Sequence, residues 1–333
     1  MNYEYGFLSN NHLPTAIQDY FIYMETIKNK SSNTIAAYRK DLTIFCRFML
    51  IHKGVVDPKK VKFDEIDISN IENDFFREIK LRDLYAFLSY VEKYRHNGIY
   101  ARGRKVSCLK AFFKYLSSKA KIINENPAAD LEYPKVNKRH PVFLTLDQCL
   151  VVLDSLDKKN KNYYRDYCIL TLFLNCGVRL SELCGIQISK IKDDTLTIIG
   201  KGNKERTVYL NESCLIAIEK YLSVRDISKV DPEYRDYLFI SNKNKPISGR
   251  NVEILVKKHI NNAGFTDKNY SPHKLRHSAA TLMFKYGNVD IRTLQDILGH
   301  ENISTTQIYT HVDDEGLRAA INSNPLANIA REE

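Results

Sequence analysis

An arginine in the second half of the sequence stands at a predicted junction between two helices. Arg179 comes shortly after Gly177, which can end the apolar helix that begins near Asp166. Ser181 can cap the next helix, and Glu182 lies close enough on that helix to pair with the guanidinium of Arg179. A guanidinium in this position either bridges two helices or binds an anion such as phosphate, and both readings remain open at this point.

A second group of basic residues lies at another predicted helix start. Ser271-Pro272 predicts the beginning of a helix with His273 and Arg276 on one face near its N-terminus. The helix dipole favours an anion there, so a phosphate would fit. His277 has the spacing from His273 of a zinc-binding pair, but Arg276 between them opposes a dication and no nearby carboxylate completes a ligand set. We therefore expect no metal site.

For three further residues, a functional role can be inferred only from the residues that surround them. Lys201 lies between two glycines at the tip of a predicted hairpin, where a mobile loop could bring an amine to a leaving-group oxygen. His300 follows the helical pattern 289–298 and Gly299. Residues 304–307 then have the pattern of a capping box, which predicts a short helix around Tyr309. Taken singly, a turn lysine is usually a solvated charge and a tyrosine usually packs in a core.

The elements that must position these residues belong to a globular chain of two domains. Its 333 residues are 44% hydrophobic, enough to bury a substantial core, and its formal charge is +10. Seven cysteines without a C-x-x-C pair predict buried free thiols. There is no apolar run long enough to span a membrane and no secretory pattern at the N-terminus, so we expect a cytoplasmic protein.

Helical periodicity dominates the chain. It predicts helices over residues 14–27, after Ser31, and over 81–94 and 104–117, and most of the second half is helical as well. The exception is 195–210, which has a strand, turn and strand pattern. Two prolines and many turn formers mark a linker. We expect an N-terminal domain at residues 10–123, a linker at 124–140, and a second domain at 141–333.

The positive charge is concentrated in the first part of the chain. Residues 1–140 hold 24 basic and 16 acidic residues, and the run 93–121 holds nine basic residues and no acidic one. Such a run is either a solvated helix face or a surface that contacts the phosphate backbone of nucleic acid. Tyrosines interleaved with the run favour the second interpretation. The candidate DNA contacts are Arg102, Arg104, Lys105, Lys110 and Lys114.

In their order and spacing, these motifs closely resemble those of the tyrosine site-specific recombinases. The matching stretches are Gly-Val-Arg179-Leu-Ser-Glu-Leu, Gly-Lys201-Gly-Asn-Lys-Glu-Arg, His273-Lys-Leu-Arg276-His, Leu-Gly-His300 and Ile-Tyr309-Thr-His. The stretch from Ser32 to Leu42 looks like the family's core-binding domain. Within the family the chain is most similar to the Xer group of chromosome-resolving recombinases, with phage and transposon integrases as near relatives.

The resemblance implies a fold. It is mainly α with a small β-sheet: an N-terminal helical core-binding (SAM-like) domain is joined to a mixed α/β tyrosine recombinase catalytic domain, and the two form a C-shaped DNA clamp. The stretch 54–80 departs from the pattern, because it is longer and more acidic than the compact Xer arrangement. It is either a lineage-specific insertion or the mark of an element-borne integrase.

The resemblance also implies the chemistry. The Tyr309 oxygen attacks a DNA phosphodiester and forms a 3′-phosphotyrosyl link, which leaves a free 5′ hydroxyl. Arg179, Arg276 and His300 stabilise the phosphate charge, while His273 accepts the phenolic proton. Lys201 protonates the leaving oxygen, Glu182 supports Arg179, and the cationic pocket favours the phenolate. These side chains replace divalent metals, so no metal, ATP or other cofactor is expected.

The implied partners are DNA and other recombinase protomers. By resemblance, a homo- or heterotetramer acts on two double-stranded DNA sites, and the segment beyond Tyr309, with Leu317, Ala320 and Ile321, docks into a neighbour. A second recombinase or a DNA translocase would be a further partner. The expected role is the resolution of chromosome dimers at cell division. The alternatives are an integrase or excisionase of a mobile element, a type IB topoisomerase, and a regulator that binds DNA without cleaving it.

Overall fold

The chain divides into two compact units, residues 1–138 and 139–333, called here the N-terminal and the C-terminal unit. The structure, a computed structural model, describes residues 12–135, 142–200, 205–266, 270–287, 289–300, 302–307 and 309. The division falls inside the stretch 124–140 that composition marks as a linker. Among the described residues, no helix combines the length and the apolar character that a membrane crossing requires.

The N-terminal unit is helical, as predicted. Its helices are α1 (Thr15–Thr26), α2 (Ser32–His52), α3 (Asn73–Arg77), α4 (Leu81–Lys93) and α5 (Ile99–Ser118). Ser31 caps α2, and its side chain accepts a hydrogen bond from the backbone N–H of Thr34. Helix α5 begins five residues before the predicted start at residue 104, because Gly103 is accommodated inside the helix. Aromatic rings fill the core, with Phe45, Phe87 and Phe112 completely buried.

The stretch 54–80 is an integral part of the N-terminal unit. Ile66, Ile68, Phe76 and Ile79 are all buried in the same core as α2, α4 and α5. The guanidinium of Arg47 on α2 donates a hydrogen bond to the Ile66 carbonyl at 3.1 Å. The acidic residues of this stretch therefore belong to a segment whose apolar residues complete the core of the helices.

The C-terminal unit is also mainly helical and holds the small sheet. Its helices are α6 (Leu146–Asp154), α7 (Tyr163–Cys176), α8 (Leu180–Cys184), α9 (Glu212–Val224), α10 (Gly249–Asn262), α11 (Pro272–Tyr286) and α12 (Ile291–Leu298). The strands are β1 (Ile191–Lys192), β2 (Thr195–Ile199) and β3 (Glu205–Tyr209), in the order β1-β2-β3. The predicted fold class, mainly α with a small β-sheet, is confirmed.

Two local structures predicted from the sequence are present in the C-terminal unit. Thr145 and Gln148 form the predicted capping box at the start of α6. Strands β2 and β3 pair antiparallel with Thr197 opposite Thr207, as the strand, turn and strand pattern predicts. Helix α7 is buried along most of its length and packs against α9 and α11, so it forms the centre of the C-terminal unit. All seven cysteines are free, and all but the partly exposed Cys184 are buried.

Candidate active site

Arg179 lies where α7 gives way to α8. Gly177 ends α7 in the left-handed conformation with φ +58°, which a residue without a Cβ adopts at little cost. Arg179 itself is the N-cap residue of α8, so the prediction that Ser181 caps this helix is wrong. The backbone N–H and the Nη1 of Arg179 both donate to the Glu182 carboxylate, at 2.7 and 2.6 Å. About a third of the Arg179 side chain remains exposed, so the guanidinium is held but still accessible.

Glu182 connects several guanidinium groups. Its carboxylate is almost fully buried, and besides Arg179 it accepts a hydrogen bond of 3.0 Å from Nη2 of Arg206 on β3. Nη1 of Arg276 lies 4.0 Å from the same oxygen. Burial alone would raise the pKa of Glu182, but the hydrogen bonds from Arg206 and Arg179 outweigh it and hold that pKa below its usual value. Glu182 therefore stays ionised and balances part of the charge of the arginines.

Arg276 is a buried guanidinium on α11. Its Nη1 donates to the Gly177 carbonyl at 2.7 Å and its Nη2 to the Leu298 carbonyl at 2.6 Å. Burial lowers the pKa of Arg276 to about 10, and the positive charge of Arg179 acts in the same direction. Arg276 is still protonated at neutral pH, because that value lies well above 7. In the described part of the chain, two of its five N–H groups donate to these carbonyls, and the remaining ones can bind a ligand.

The segment between α12 and His300 closes tightly over these arginines. Gly299 has φ +64°, and its carbonyl accepts a hydrogen bond from Nη2 of Arg179. A Cβ at Gly299 would lie 2.9 Å from Cδ of Arg206. Arg206 in turn donates a hydrogen bond to the carbonyl of Ile297. This close approach requires a residue without a side chain at position 299.

A cavity of about 880 Å³ opens beside these groups. Arg179, His273, Arg276 and His300 all line it, together with the first residues of α10 and α11. Four of the six residues predicted to be catalytic thus face one space. The cavity carries two guanidiniums and two imidazoles, a donor set suited to a phosphate group.

Both cavity histidines are neutral at physiological pH. Burial lowers the pKa of His300 to about 4, and the positive charges of Arg276 and Arg179 add to the effect. Burial and Arg276 also lower the pKa of His273. Nδ1 of His300 lies 2.9 Å from the Thr306 hydroxyl, which fixes the ring. A neutral imidazole can accept a proton at one nitrogen, as a general base does, and can donate a hydrogen bond from the other.

Tyr309 lies behind the cavity instead of lining it. The side chain is completely buried and packs against Ala280, Leu294 and Leu298. Its hydroxyl lies 2.6 Å from Nδ1 of His277, so the contact is to this residue and not to the predicted acceptor, His273. Burial raises the pKa of Tyr309 to about 12 against the opposing effect of Arg276. The expectation that the cationic pocket favours the phenolate is therefore wrong for this arrangement, because desolvation outweighs the nearby charge.

Some predicted residues fall beyond the structural description. Lys201 and the segment after Tyr309, with Leu317, Ala320 and Ile321, lie outside the described residues. Gly200, which directly follows β2, is described, and so are β2 and β3, the strands on either side of Lys201 in the sequence. Within the part of the chain that the structure describes, no three His, Cys, Asp or Glu side chains cluster to hold a metal ion.

One of the predicted DNA contacts of the N-terminal unit, Lys105, is wrong. Lys105 is buried, and its Nζ pairs with Asp41 at 2.8 Å, so it is part of the core and cannot face a phosphate backbone. The amine of Lys110 donates to the carbonyls of Ala129 and Leu131, at 2.8 and 2.7 Å.

Like Lys110, which is half-buried, the other three predicted contacts keep some access to solvent. Arg104 pairs with Asp41 and Arg102 with Glu92, each at 2.6 Å, and their side chains are 40% and 20% exposed. Lys114 is exposed. The acidic partner of Arg104 comes from α2, which explains why the basic run looks unbalanced when α5 is considered alone.

Two residues of the site went unrecognised in the sequence. Arg206 was read only as part of the hairpin motif, although its alternation on β3 with Val208 puts the two on one face of the strand. The spacing of His277 from His273 puts both on one face of α11, but it predicts neither the contact of His277 with Tyr309 nor a role for it in the site. In both cases the helix or strand period indicates which face the side chain is on. It does not indicate the contact, because Glu182 and Tyr309, the partners of Arg206 and His277, lie far away in the sequence.

Two guanidiniums and two imidazoles that line one cavity, in a helical domain with a small antiparallel sheet, fit a class of enzyme that transfers phosphoryl groups. The comparisons with known proteins agree with this class. Residues 142–316 match the phage integrase family. The tyrosine recombinase XerC of Caldanaerobacter subterraneus subsp. tengcongensis is 51% identical over 97% of this chain and 90% of its own length.

Solved structures share the fold. XerH site-specific recombinase bound to its difH substrate in a pre-cleavage complex has a TM-score of 0.65 at 23% identity, covering 92% of this chain and 84% of its own. The Tn1549 transposon integrase in complex with a circular intermediate DNA has a TM-score of 0.68 at 19% identity, covering 93% and 99%. The chain therefore belongs to the phage integrase family of tyrosine site-specific recombinases and, within it, to the Xer group. It is a site-specific DNA recombinase, an enzyme that transfers DNA strands.

Proposed function

We propose that the cavity binds the scissile phosphate of a recombination site and that Tyr309 is its nucleophile. The observation that carries the proposal is the convergence of Arg179, Arg276, His273 and His300 on one cavity, with Tyr309 behind it. The Tyr309 oxygen bonds to phosphorus while the bond from phosphorus to the 5′ oxygen breaks. The phosphoester energy is retained, so a 5′ hydroxyl of another strand can reverse the step without ATP.

The cavity side chains supply the charge and the proton transfers. Arg179 and Arg276 bind the non-bridging oxygens, because a planar guanidinium matches two oxygens at once. His300 donates a further hydrogen bond as a neutral imidazole. His273 is the proposed acceptor of the phenolic proton once Tyr309 faces the phosphate, since it lines the cavity and is neutral. Lys201 would return a proton to the 5′ oxygen. No step uses a divalent metal, so chelator-treated, metal-free enzyme should still form the adduct.

We also propose that the N-terminal unit grips the DNA backbone. Lys114 is exposed on α5, and Arg104 on the same helix is 40% exposed, so these two side chains are the best candidates among those predicted. Lys105 is removed from that set. The assembly would be a homo- or heterotetramer on two DNA sites, with the segment after Tyr309 exchanged between protomers.

The proposed biological role is resolution of chromosome dimers at cell division, in the cytoplasm. A relative that is 51% identical and named XerC supports the role, because the Xer group is the chromosome-resolving branch of the family. The similarity to the Tn1549 integrase keeps mobile-element integration as the second candidate, although a likeness at 19% identity concerns the fold alone. The packing of the stretch 54–80 into the N-terminal core argues against reading it as an added segment that marks an element-borne enzyme.

The test uses a nicked suicide duplex that carries the chromosomal terminus site of the source organism. Wild type and Tyr309→Phe are compared on a denaturing gel. We expect a covalent adduct with wild type alone, since the phenylalanine lacks the attacking oxygen. Specific binding without an adduct would point to a missing partner recombinase or to a regulator. The absence of both would favour a mobile-element site, which a second duplex carrying the ends of an integrated element would then test.

A further inference from the structure

The hydroxyl of Tyr309 has a partner that does not line the phosphate cavity. It lies 2.6 Å from Nδ1 of His277, and the Tyr309 side chain is completely buried. Neither residue is among those that line the cavity. Attack on a phosphate in the cavity therefore requires the hydroxyl to leave His277 first.

The protonation states fix the direction of this hydrogen bond. Burial raises the pKa of Tyr309 to about 12, so the phenol holds its proton. Burial, with help from the nearby His273 and Arg276, lowers the pKa of His277 to about 4, so its imidazole is neutral and has one acceptor nitrogen. Among the described residues, His277 is the hydrogen-bond partner of the hydroxyl. The arrangement that pairs the buried phenolic proton is donation from Tyr309 to Nδ1.

The second nitrogen of His277 continues the chain towards the cavity. With Nδ1 as the acceptor, Nε2 bears the hydrogen and donates it to Nε2 of His273 at 3.0 Å. The two imidazole rings meet edge to face with their centroids 4.3 Å apart. His277 is thus held in place from one side by a residue that lines the cavity, and its acceptor nitrogen is turned towards Tyr309.

We propose that His277 is a positioning residue that holds the Tyr309 hydroxyl in a resting position, and that cleavage begins with the loss of this hydrogen bond. The inference rests on the proposed role of Tyr309 as nucleophile and adds a step before its attack. DNA that occupies the cavity meets His273 directly, so its binding can disturb the His273–His277 contact and release the phenol.

The proposal predicts that removing the acceptor accelerates the first cleavage. A net hydrogen bond of about 1 kcal/mol corresponds to about a fivefold change in the population of the released hydroxyl. His277→Ala should therefore form the covalent adduct about fivefold faster than wild type in a single turnover on the suicide duplex. His277→Asn is the matched control, because its Oδ1 takes the place of Nδ1 and keeps the acceptor. We expect it to cleave at close to the wild-type rate.

Two results of this assay would overturn the inference. If His277→Ala is slower than wild type while His277→Asn is not, His277 takes part in the reaction and does not restrain it. If both variants match wild type, the contact has no influence on the rate. His277→Leu, which fills the space without an acceptor, repeats the test should the alanine variant fold poorly.

A second measurement needs no DNA and separates this inference from the proposed function. Acetylation of tyrosines by N-acetylimidazole is followed by peptide mass spectrometry, with the buried Tyr221 as the internal measure of unfolding. His277→Ala and His277→Leu should increase the acetylation of Tyr309 about fivefold relative to Tyr221, and His277→Asn should not. Equal Tyr309 reactivity in all variants would refute the restraint even if wild type cleaves DNA. Failure of wild type to form a Tyr309-dependent adduct would instead refute the proposed function.

Discussion

Replacing Glu182 by glutamine should disable cleavage without removing any group that touches DNA. The carboxylate accepts two hydrogen bonds from Arg179 and one from Arg206, at 2.6 to 3.0 Å. Glutamine keeps one oxygen, but its amide NH₂ faces guanidinium donors and cannot accept from them. At least one charge-assisted hydrogen bond of about 1.5–3 kcal/mol is lost, together with the charge that balances the arginines.

The expected loss follows from these terms. A total of about 3 kcal/mol corresponds to a decrease of about 10²-fold in the single-turnover rate of adduct formation on the suicide duplex, since Arg179 is no longer fixed towards the phosphate. Glu253→Gln is the control. Glu253 lines the same cavity, but among the residues that the structure describes its ion pair is with the exposed Arg250, at 3.3 Å. Removing its charge should leave the cleavage rate within about twofold of wild type, as is usual for an exposed pair.

The reasoning fails if the two glutamine variants cleave at similar rates. Such a result would mean that the cavity needs only its net charge and that the geometry imposed by Glu182 is irrelevant. Duplex affinity, measured at the same salt concentration, separates a defect in cleavage from a defect in binding. We expect the affinity of Glu182→Gln to change far less than its rate.

Four further predictions concern stability, DNA affinity and the rate of cleavage. Lys105→Met should lower the free energy of unfolding by about 3 kcal/mol, because it leaves a buried carboxylate short of a partner, and urea unfolding measures this. Lys114→Met should leave stability unchanged and reduce the slope of log K against log salt by about 0.9; an unchanged slope would exclude Lys114 as a phosphate contact. Gly299→Ala should cost about 1–2 kcal/mol in urea unfolding for its positive φ and should also slow cleavage by displacing Arg206; a wild-type rate would contradict the tight approach. An unfolded histidine titrates near ~6.5 but His277 stays neutral in the folded protein to about 4, so protons bind the unfolded chain preferentially between these values. Stability should therefore fall as the pH is lowered from 7 to 4.5, and less steeply in His277→Asn.

Local features of the fold were predictable because their causes are local. Ser31 caps α2 through an N–H three residues away, and Thr145 with Gln148 does the same for α6. Gly177 ends α7 because it tolerates a positive φ. The residues proposed to be catalytic come from the resemblance of five short motifs to a family and not from periodicity.

The errors arise where the partner is distant in sequence. The basic run alone predicts Lys105 as a DNA contact, because its counter-charge, Asp41, lies on another helix. The motifs predict a phenolate at Tyr309, but burial, which no motif encodes, outweighs the charge of Arg276 and keeps the phenol protonated. The contact of Tyr309 with His277 likewise depends on how the segment after α12 packs onto α11.

The hydrogen bonds of Arg276 have a consequence for how inactive variants are designed. Its guanidinium donates to the carbonyls at the ends of α7 and α12, groups that have no partner inside their own helices. The arginine is therefore also a tie between two helix ends, and an alanine in its place would damage the architecture as well as the chemistry. A protein of this fold that no longer cleaved DNA would still need this arginine in order to fold. Tyr309→Phe is the better reagent for trapping intact complexes, because it removes one oxygen and leaves both helix ends tied.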